Sequence, residues 1–381
     1  MRVISDAEVQ TDILPRITLS ALLQSQAVAL HSIQGGAESG SNREGAQCPA
    51  RLSLRTPRYT QLFMPARTHT PDSVVKIVSV PRPGAGGVSG IHGVNLVLDD
   101  ATGRLSHVVD STCLTALRTA AGSLASSILA LGRLQEQVGS AVVFGDGAQA
   151  VFHVWLHMRY FAGLREITVV VGSHKQLSLE EVDDKQQRFA TQLESLLSWT
   201  PKEYSIKCIR GRDGESVTRA LQSASLVFTC TPSSTALFAH SDLAGGPKRK
   251  HICAVGSYTP SMCELPRDLI CAAAAMSGAL VVDSAEACAT EAGCLLQALP
   301  SAEAVRTRCV ELGALLPKPE AGGGEGYVQL VEREARVCGV GEGAGGSVTS
   351  VFKSVGVGVQ DVEITKLVVS LAGDVGVDVA F

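Results

Sequence analysis

The stretch VVFGDGAQAVFH, residues 142–153, decides how the rest of the chain is read. Val142, Val143 and Phe144 form the end of a β-prone run, two glycines follow, and from Ala148 the apolar residues recur at helical spacing. The segment therefore reads as a strand, a tight turn and a helix. In Gly145-x-Gly147-x-x-Ala150 the first glycine permits the turn, the second lets backbone approach a pyrophosphate, and Ala150 lets helix and strand pack closely. Phosphates would then face the helix N-terminus, with Gly145, Gly147, Ala148 and Gln149 as the contacts. An ordinary strand-to-helix turn with no nucleotide has the same spacing. Asp146 is out of place in such a turn, because a carboxylate aimed at a pyrophosphate opposes its binding, so its side chain is expected to point away.

Outward from this loop the pattern repeats. Strand-like runs at 140–145, 167–172, 204–210, 226–231, 251–256 and 279–284 alternate with helical segments, the longest spanning 178–199. Short β-branched runs alternating with helices imply a parallel sheet covered on both faces, a doubly wound α/β domain. Its second strand ends in Gly172, Ser173, His174 and Lys175, without the carboxylate that would accept from an NAD ribose. Ser173, His174 and Lys175 offer donors to a phosphate, so NADP(H) is favoured over NAD(H), which stays possible.

The first 130 or so residues read differently. Segments 50–66, 73–80 and 91–110 are strands, the last a hairpin turning at Asp99–Gly103, before a helix from Thr112 to about Leu131. This is an antiparallel α+β unit. The run TSVFKSVGVGVQDVEITKLVV, 349–369, adds a loop and an amphipathic helix that can return to it. Residues 1–130 and 350–381 are thus assigned to one domain and 131–349 to the doubly wound one. Glycine-rich stretches at 35–46, 82–90, 320–326 and 339–348 are loops by composition.

Composition bounds what such a chain does. Its 381 residues allow about two domains, and 45% apolar with 18% charged residues is a globular balance. A net charge of −4 argues against a general nucleic-acid or anionic-membrane binder and leaves small ligands open. Acids interrupt the N-terminal MRVISDAEVQTD, and no later run approaches about 18 unbroken apolar residues, so a cytoplasmic protein is expected. The 11 cysteines are scattered without a C-x-x-C pair, which suggests neither a disulfide framework nor a metal site.

Several segments together resemble the ornithine cyclodeaminase/μ-crystallin family: PARLSL (49–54), LTALRTAAGSLAS (114–126), GDGAQA (145–150), AVGSYTPSMCELP (254–266), VVDSAEACATEAG (281–293) and VFKSVGVGVQD (351–361). The resemblance implies a homodimer in which a Rossmann-type doubly wound domain faces an α+β substrate and dimerisation domain built from both chain ends. It also implies a small-molecule substrate whose α-carboxylate is held by Arg51, Lys76 and Arg118. A planar guanidinium gripping a carboxylate bidentately suits that role, because it orients the neighbouring carbon for reaction. His92, at the strand beginning VSGIH, is a candidate substrate-facing residue by position, with a structural histidine as the more ordinary reading.

The family's cyclodeaminases carry an aspartate after the fifth strand of this domain, where Tyr258 stands in VGSYTP. Its absence argues against ornithine cyclodeamination, which needs a base, and favours reduction of an existing C=N bond in a cyclic ketimine such as Δ1-pyrroline-2-carboxylate or Δ1-piperideine-2-carboxylate. Solvent, Lys76 and Tyr258 are the alternative proton sources. Thr231, Pro232, Val255, Gly256, Ser354 and Gly356, at strand C-termini, should line the nicotinamide end. Glu264 is expected to order the loop after Tyr258, and Asp283 with Ser284 to cap the next helix. An open-chain amino acid dehydrogenase or opine-like synthase, and a non-catalytic NADPH-binding crystallin-like protein, are the rival readings.

Overall fold

The computed structural model describes residues 1–34, 45–82, 90–173, 176–197, 203–319, 326–334, 337–341 and 348–380. His174, Lys175 and most of the four glycine-rich stretches lie outside the described residues. The chain divides into two compact units, one of Met1–Arg118, Lys318–Val328 and Val357–Phe381 and one of Thr119–Pro317 and Gln329–Gly356.

In chain order the first unit contributes β1 (Arg2–Ile4), β2 (Leu52–Arg55), β3 (Tyr59–Ala66), β4 (Ser73–Pro81), β5 (His92–Leu98) and β6 (Leu105–Asp110). The second contributes β7 (Ser140–Phe144), β8 (Glu166–Val171), β9 (Ser205–Arg210), β10 (Leu226–Thr229), β11 (Arg249–Ala254), β12 (Leu280–Val282), β13 (Val310–Glu311) and β14 (Val348–Lys353). The last strand, β15 (Val377–Asp378), returns to the first unit.

The first unit is a seven-stranded sheet in the order β15-β1-β6-β5-β4-β3-β2, antiparallel except where β1 runs alongside β6. Alternation sends Val74, Lys76 and Val78 of β4 to a buried face. Cross-strand register aligns Met64, Lys76, Asn95, Val109 and Ile4 in one row on that face. Helix Gly358–Ala372 packs on β3 and β4 and against helix Leu19–Ser32. Thr18 caps the latter helix by accepting from Ala21 N–H. Neither this helix nor β1 is signalled by the strand-rich reading of the N-terminal region. The turn at Asp99–Gly103 is the expected hairpin: Asp99 accepts from Thr102 N–H at 2.7 Å, and Gly103 takes φ 67°.

The second unit is an eight-stranded parallel sheet in the order β13-β12-β14-β11-β10-β7-β8-β9. From β7 the chain builds outward through β8 and β9, then crosses to β10 on the other side, which makes the β7/β10 boundary the switch point of a doubly wound sheet. One expectation fails here. Residues 349–353 form β14 rather than a loop, inserted between β11 and β12 with Ile252 opposite Val351 and Val281 opposite Phe352. Val351 and Phe352 are wholly buried, and an interior strand with no polar face loses the alternation by which strands are recognised.

Three histidines lie inside this unit. His153 bonds Ser123 Oγ at 2.9 Å, His157 bonds Ser127 Oγ at 2.9 Å, and His251 bonds Ser126 Oγ at 3.1 Å and Ser350 Oγ at 2.8 Å. Burial pushes His153 down to about 4, His251 down to about 3, and His157 well below the ordinary value. All three are neutral in the fold. Below about pH 6.5 the unfolded chain binds protons that the folded chain refuses, so stability falls as pH drops from there toward the folded values. The urea midpoint should therefore fall steadily between about pH 6.5 and 4.5, and fall less steeply in His251→Gln. Identical slopes in the two proteins would contradict this.

Candidate functional site

In the first unit, Lys76 and Arg118 converge on one buried acid that the sequence reading does not single out. Lys76 projects from the middle of β4, and Arg118 from the helix that starts at Thr112. Lys76 Nζ donates to Asp361 Oδ1 at 2.8 Å, and Arg118 Nε donates to the same oxygen at 3.3 Å. Arg118 Nη1 also reaches Gln360 Oε1 at 3.5 Å. Lys76 and Asp361 are each 1% exposed and Arg118 is 6% exposed. Burial pushes Lys76 down to about 8, against the opposing charge of Asp361; Arg118 and Arg51 push in the same direction as burial. Burial works to raise the Asp361 carboxyl, but the charges and hydrogen bonds of Lys76 and Arg118 outweigh it and hold it below its usual value.

Asp361 sits in the first turn of helix Gly358–Ala372. Its carbonyl accepts from Thr365 Oγ1 at 2.6 Å, and Thr365 Oγ1 accepts from Asn95 Nδ2 at 2.6 Å, which ties the helix to the residue paired with Lys76 across the strands. Among the described residues, Asp361 Oδ2 and Asn95 Oδ1 are buried without a hydrogen-bond partner. Arg51 precedes β2, and its charge is felt at both Lys76 and Cys48. His92 is placed differently. It pairs with Ser79 at the exposed start of β5, three residues from Asn95, so strand alternation sets it on the opposite sheet face from Lys76.

In the second unit, the expected cofactor residues gather at the C-terminal ends of β7, β10, β11 and β14. Gly145 has φ 105°, and a Cβ there would lie 3.1 Å from the Cys230 carbonyl oxygen, so only glycine permits this approach of β7 to β10. Gly147 is the N-cap of helix Ala148–Tyr160 with no side-chain cap, and a Cβ on it would meet nothing within 4 Å. The first-turn N–H groups of this helix point toward the turn, the geometry by which a helix N-terminus meets an anion. The Asp146 carboxylate is turned to Lys185 of helix Leu179–Leu197, Oδ2 to Nζ 2.5 Å. Gln149 and Ser173 are half-buried, and Ala148 is exposed.

Three buried charges fix the loops beyond these strands. Glu264 accepts from Thr231 N–H at 2.8 Å, Thr231 Oγ1 at 3.1 Å and Ser257 N–H at 2.8 Å. Burial raises its carboxyl, and the Lys353 charge and these hydrogen bonds offset part of that rise. Lys353 Nζ donates to the carbonyls of Ala254, Ser257 and Ser354. Asp283 Oδ2 accepts from Ser354 Oγ at 2.7 Å, Val355 N–H at 3.0 Å and Gly356 N–H at 2.7 Å. Ser284 caps helix Ala285–Glu291 by accepting from Ala287 N–H, and Glu311 Oε1 takes Ala285 N–H; Asp283 Oδ1 accepts from Ser284 N–H, while its Oδ2 ties down the loop after β14. Glu264 likewise orders the backbone at Thr231 and Ser257. Tyr258, half-buried like Val255 and Gly256, follows in the same loop, and Pro232 is exposed.

Gly256 is the tightest point of this arrangement. A Cβ there would fall 2.2 Å from both the nitrogen and the oxygen of Thr231 and 2.5 Å from Glu264 Oε1. Gly256→Ala should cost about 1–3 kcal/mol of stability, and Gly147→Ala, with open space around it, under about 1 kcal/mol. Thermal melting of the two variants side by side checks this, and equal losses would contradict it.

Comparison with known proteins agrees with this architecture. Residues 7–374 match the ornithine cyclodeaminase/mu-crystallin family. A Δ1-pyrroline-2-carboxylate reductase of Bacillus cereus is 26% identical over 338 residues, 86% of this chain and 87% of that protein. The structure of Thermococcus litoralis Δ1-pyrroline-2-carboxylate reductase in complex with NADH and L-proline is similar with a TM-score of 0.72 at 19% identity, covering 100% of both chains. An archaeal alanine dehydrogenase dimer with bound NAD gives 0.68 at 19% identity, covering 100% of this chain and 99% of that one. The chain belongs to the ornithine cyclodeaminase/mu-crystallin family.

Proposed function

We propose that the protein is an NAD(P)-dependent reductase of a small cyclic imino carboxylate, of the Δ1-pyrroline-2-carboxylate or Δ1-piperideine-2-carboxylate type, giving the cyclic amino acid. The observation that carries this reading is the convergence of Lys76 and Arg118 on one buried point, with the charge of Arg51 nearby. The Arg118 guanidinium suits a carboxylate through paired N–H donors, and Lys76 supplies a point charge beside it. The nicotinamide cofactor of the second unit supplies the hydride. Its pyrophosphate would be held at the N-terminus of helix Ala148–Tyr160 and its nicotinamide by the loops that Glu264, Lys353 and Asp283 fix.

Reduction of a cyclic C=N bond needs one hydride at carbon and one proton at nitrogen. Lys76, pushed down to about 8, holds a proton it can release near neutral pH, which makes it our choice of donor, with Tyr258 as the other proton-bearing side chain. Cyclodeamination of ornithine asks for a free carboxylate as base. The residues from Gly256 to Pro260 contain none, and Glu264 is committed to three donors.

NADPH as the preferred cofactor is supported by Ser173, which stands beyond β8 where an NAD-selective site carries an acid. The alanine dehydrogenase relative is a dimer, and we extend that state to this chain as a homodimer. A cytoplasmic location fits eleven cysteines that are all free thiols.

Purified protein should oxidise NADPH with either imine and form proline or pipecolate, with a higher kcat/KM for NADPH than for NADH. No turnover with either imine, together with ammonia release from ornithine, would overturn the reading. Because Lys185 already holds the Asp146 carboxylate aside, Asp146→Ala should change the NADPH dissociation constant by less than about threefold in a fluorescence titration. Tightening beyond tenfold would show that the acid opposes the pyrophosphate.

A further inference from the structure

Asp361 is arranged unlike a simple structural ion pair. An ionised carboxylate has two oxygens able to accept, and two cationic donors would ordinarily be shared between them. Here Lys76 Nζ and Arg118 Nε both lie on Oδ1, at 2.8 and 3.3 Å, while Oδ2 is buried with no hydrogen-bond partner among the described residues. Among the described residues Lys76 Nζ makes only this hydrogen bond, so two of its three donors are unspent. The acid itself is anchored: its carbonyl is bound by Thr365, and neighbouring Gln360 bridges Val357 N–H and Gln26 Oε1.

We propose that Asp361 is a positioning residue, holding the Lys76 ammonium and the Arg118 guanidinium side by side on a single oxygen so that their remaining donors meet the carboxylate and ring nitrogen of one imino acid. This rests on the reading of the site as an imino carboxylate reductase. Asp361 touches no reacting atom; it acts through the two cations. A lysine side chain has four rotatable bonds, and one fixed counter-ion at its tip removes most of that freedom before substrate arrives.

The same carboxylate sets the charge balance. Facing Lys76 are Asp361 from helix Gly358–Ala372, Arg118 from the helix starting at Thr112, and Arg51 ahead of β2. The nearby Cys48 thiol is pushed up by burial and stays neutral. Burial and two cations favour loss of the Lys76 proton, and Asp361 is the group opposing them. Without its charge, Lys76 would be neutral at a lower pH and grip a carboxylate less.

The probe is pyrrole-2-carboxylate, a planar, non-reducible carboxylate of the right ring size, titrated calorimetrically from pH 6 to 9.5 into the full chain. In the wild type, affinity should hold to about pH 7 and fall as pH passes about 8. In Asp361→Asn the fall should begin at least about one pH unit lower, giving at least roughly threefold weaker binding at pH 7.5, roughly tenfold at pH 9 and near wild-type affinity at pH 6. A profile parallel to the wild type would overturn the proposal. Should Asp361→Asn not fold, Asp361→Glu carries the test: charge is kept and the two cations are displaced by one methylene. Affinity should then drop at least about fivefold at every pH with the midpoint unmoved, and wild-type affinity would overturn the proposal. Failure of the wild type to bind the probe at any pH overturns the inference and the functional reading together. Binding by the wild type without turnover of either imine overturns the functional reading alone.

Discussion

A lysine ammonium buried to 1% exposure in the middle of a sheet is the constraint around which the first unit is built. An unpaired buried charge costs several kcal/mol, and removing one partner of a buried pair typically costs about 3–5 kcal/mol. Lys76 therefore exists as a cation there only because helix Gly358–Ala372 brings Asp361 to it from the far end of the sequence. The helix must dock in one register to do so. Thr365 and Asn95 set that register through a hydrogen bond from the residue opposite Lys76, and the buried face of β3 and β4 is the surface on which the helix packs. Burying the charge does little for stability alone, which is why it points to binding.

The second unit solves a different problem with the same means. Loops beyond parallel strands have no ladder to hold them, and their backbone groups need partners. Glu264, Lys353 and Asp283 provide these from inside, Glu264 and Lys353 each satisfying three backbone or hydroxyl groups and Asp283 four. Close approach follows: Gly145 nearly touches the Cys230 carbonyl, and Gly256 leaves no room for a side chain beside Thr231. Such fixed backbone near an uncapped helix terminus is what a bound pyrophosphate requires.

Much of this is legible in the residues. The alternation of β-branched runs and helical segments leads to the parallel sheet, and the context of GDGAQA leads to its switch point. Lys76 and Arg118 come from the family resemblance; nothing in their local sequence distinguishes them from surface charges. Asp361 escapes a reading of the sequence because an acid in an amphipathic helix, two residues from Glu363, looks like part of its solvated face, and only the fold shows that the first half of this helix, Gly358 to Thr365, is buried all round. β14 escapes for a related reason: a strand buried on both faces carries no alternating pattern, and VFKSV contains a lysine whose ammonium is held by the carbonyls of Ala254 at the end of β11, Ser257 in the loop after it and the adjacent Ser354. His92 is drawn in by its nearness in sequence to the substrate strands, whereas register parity places it on the other face.

The Lys76–Arg118–Asp361 cluster is, on this account, a preformed grip for one carboxylate. The most direct test is a crystal structure of the protein with pyrrole-2-carboxylate bound. The ligand carboxylate should lie on the Arg118 guanidinium and within hydrogen-bond distance of Lys76 Nζ, with Asp361 Oδ1 still between the two cations. A ligand whose carboxylate is held elsewhere, with Lys76 and Arg118 contacting only Asp361, would contradict it.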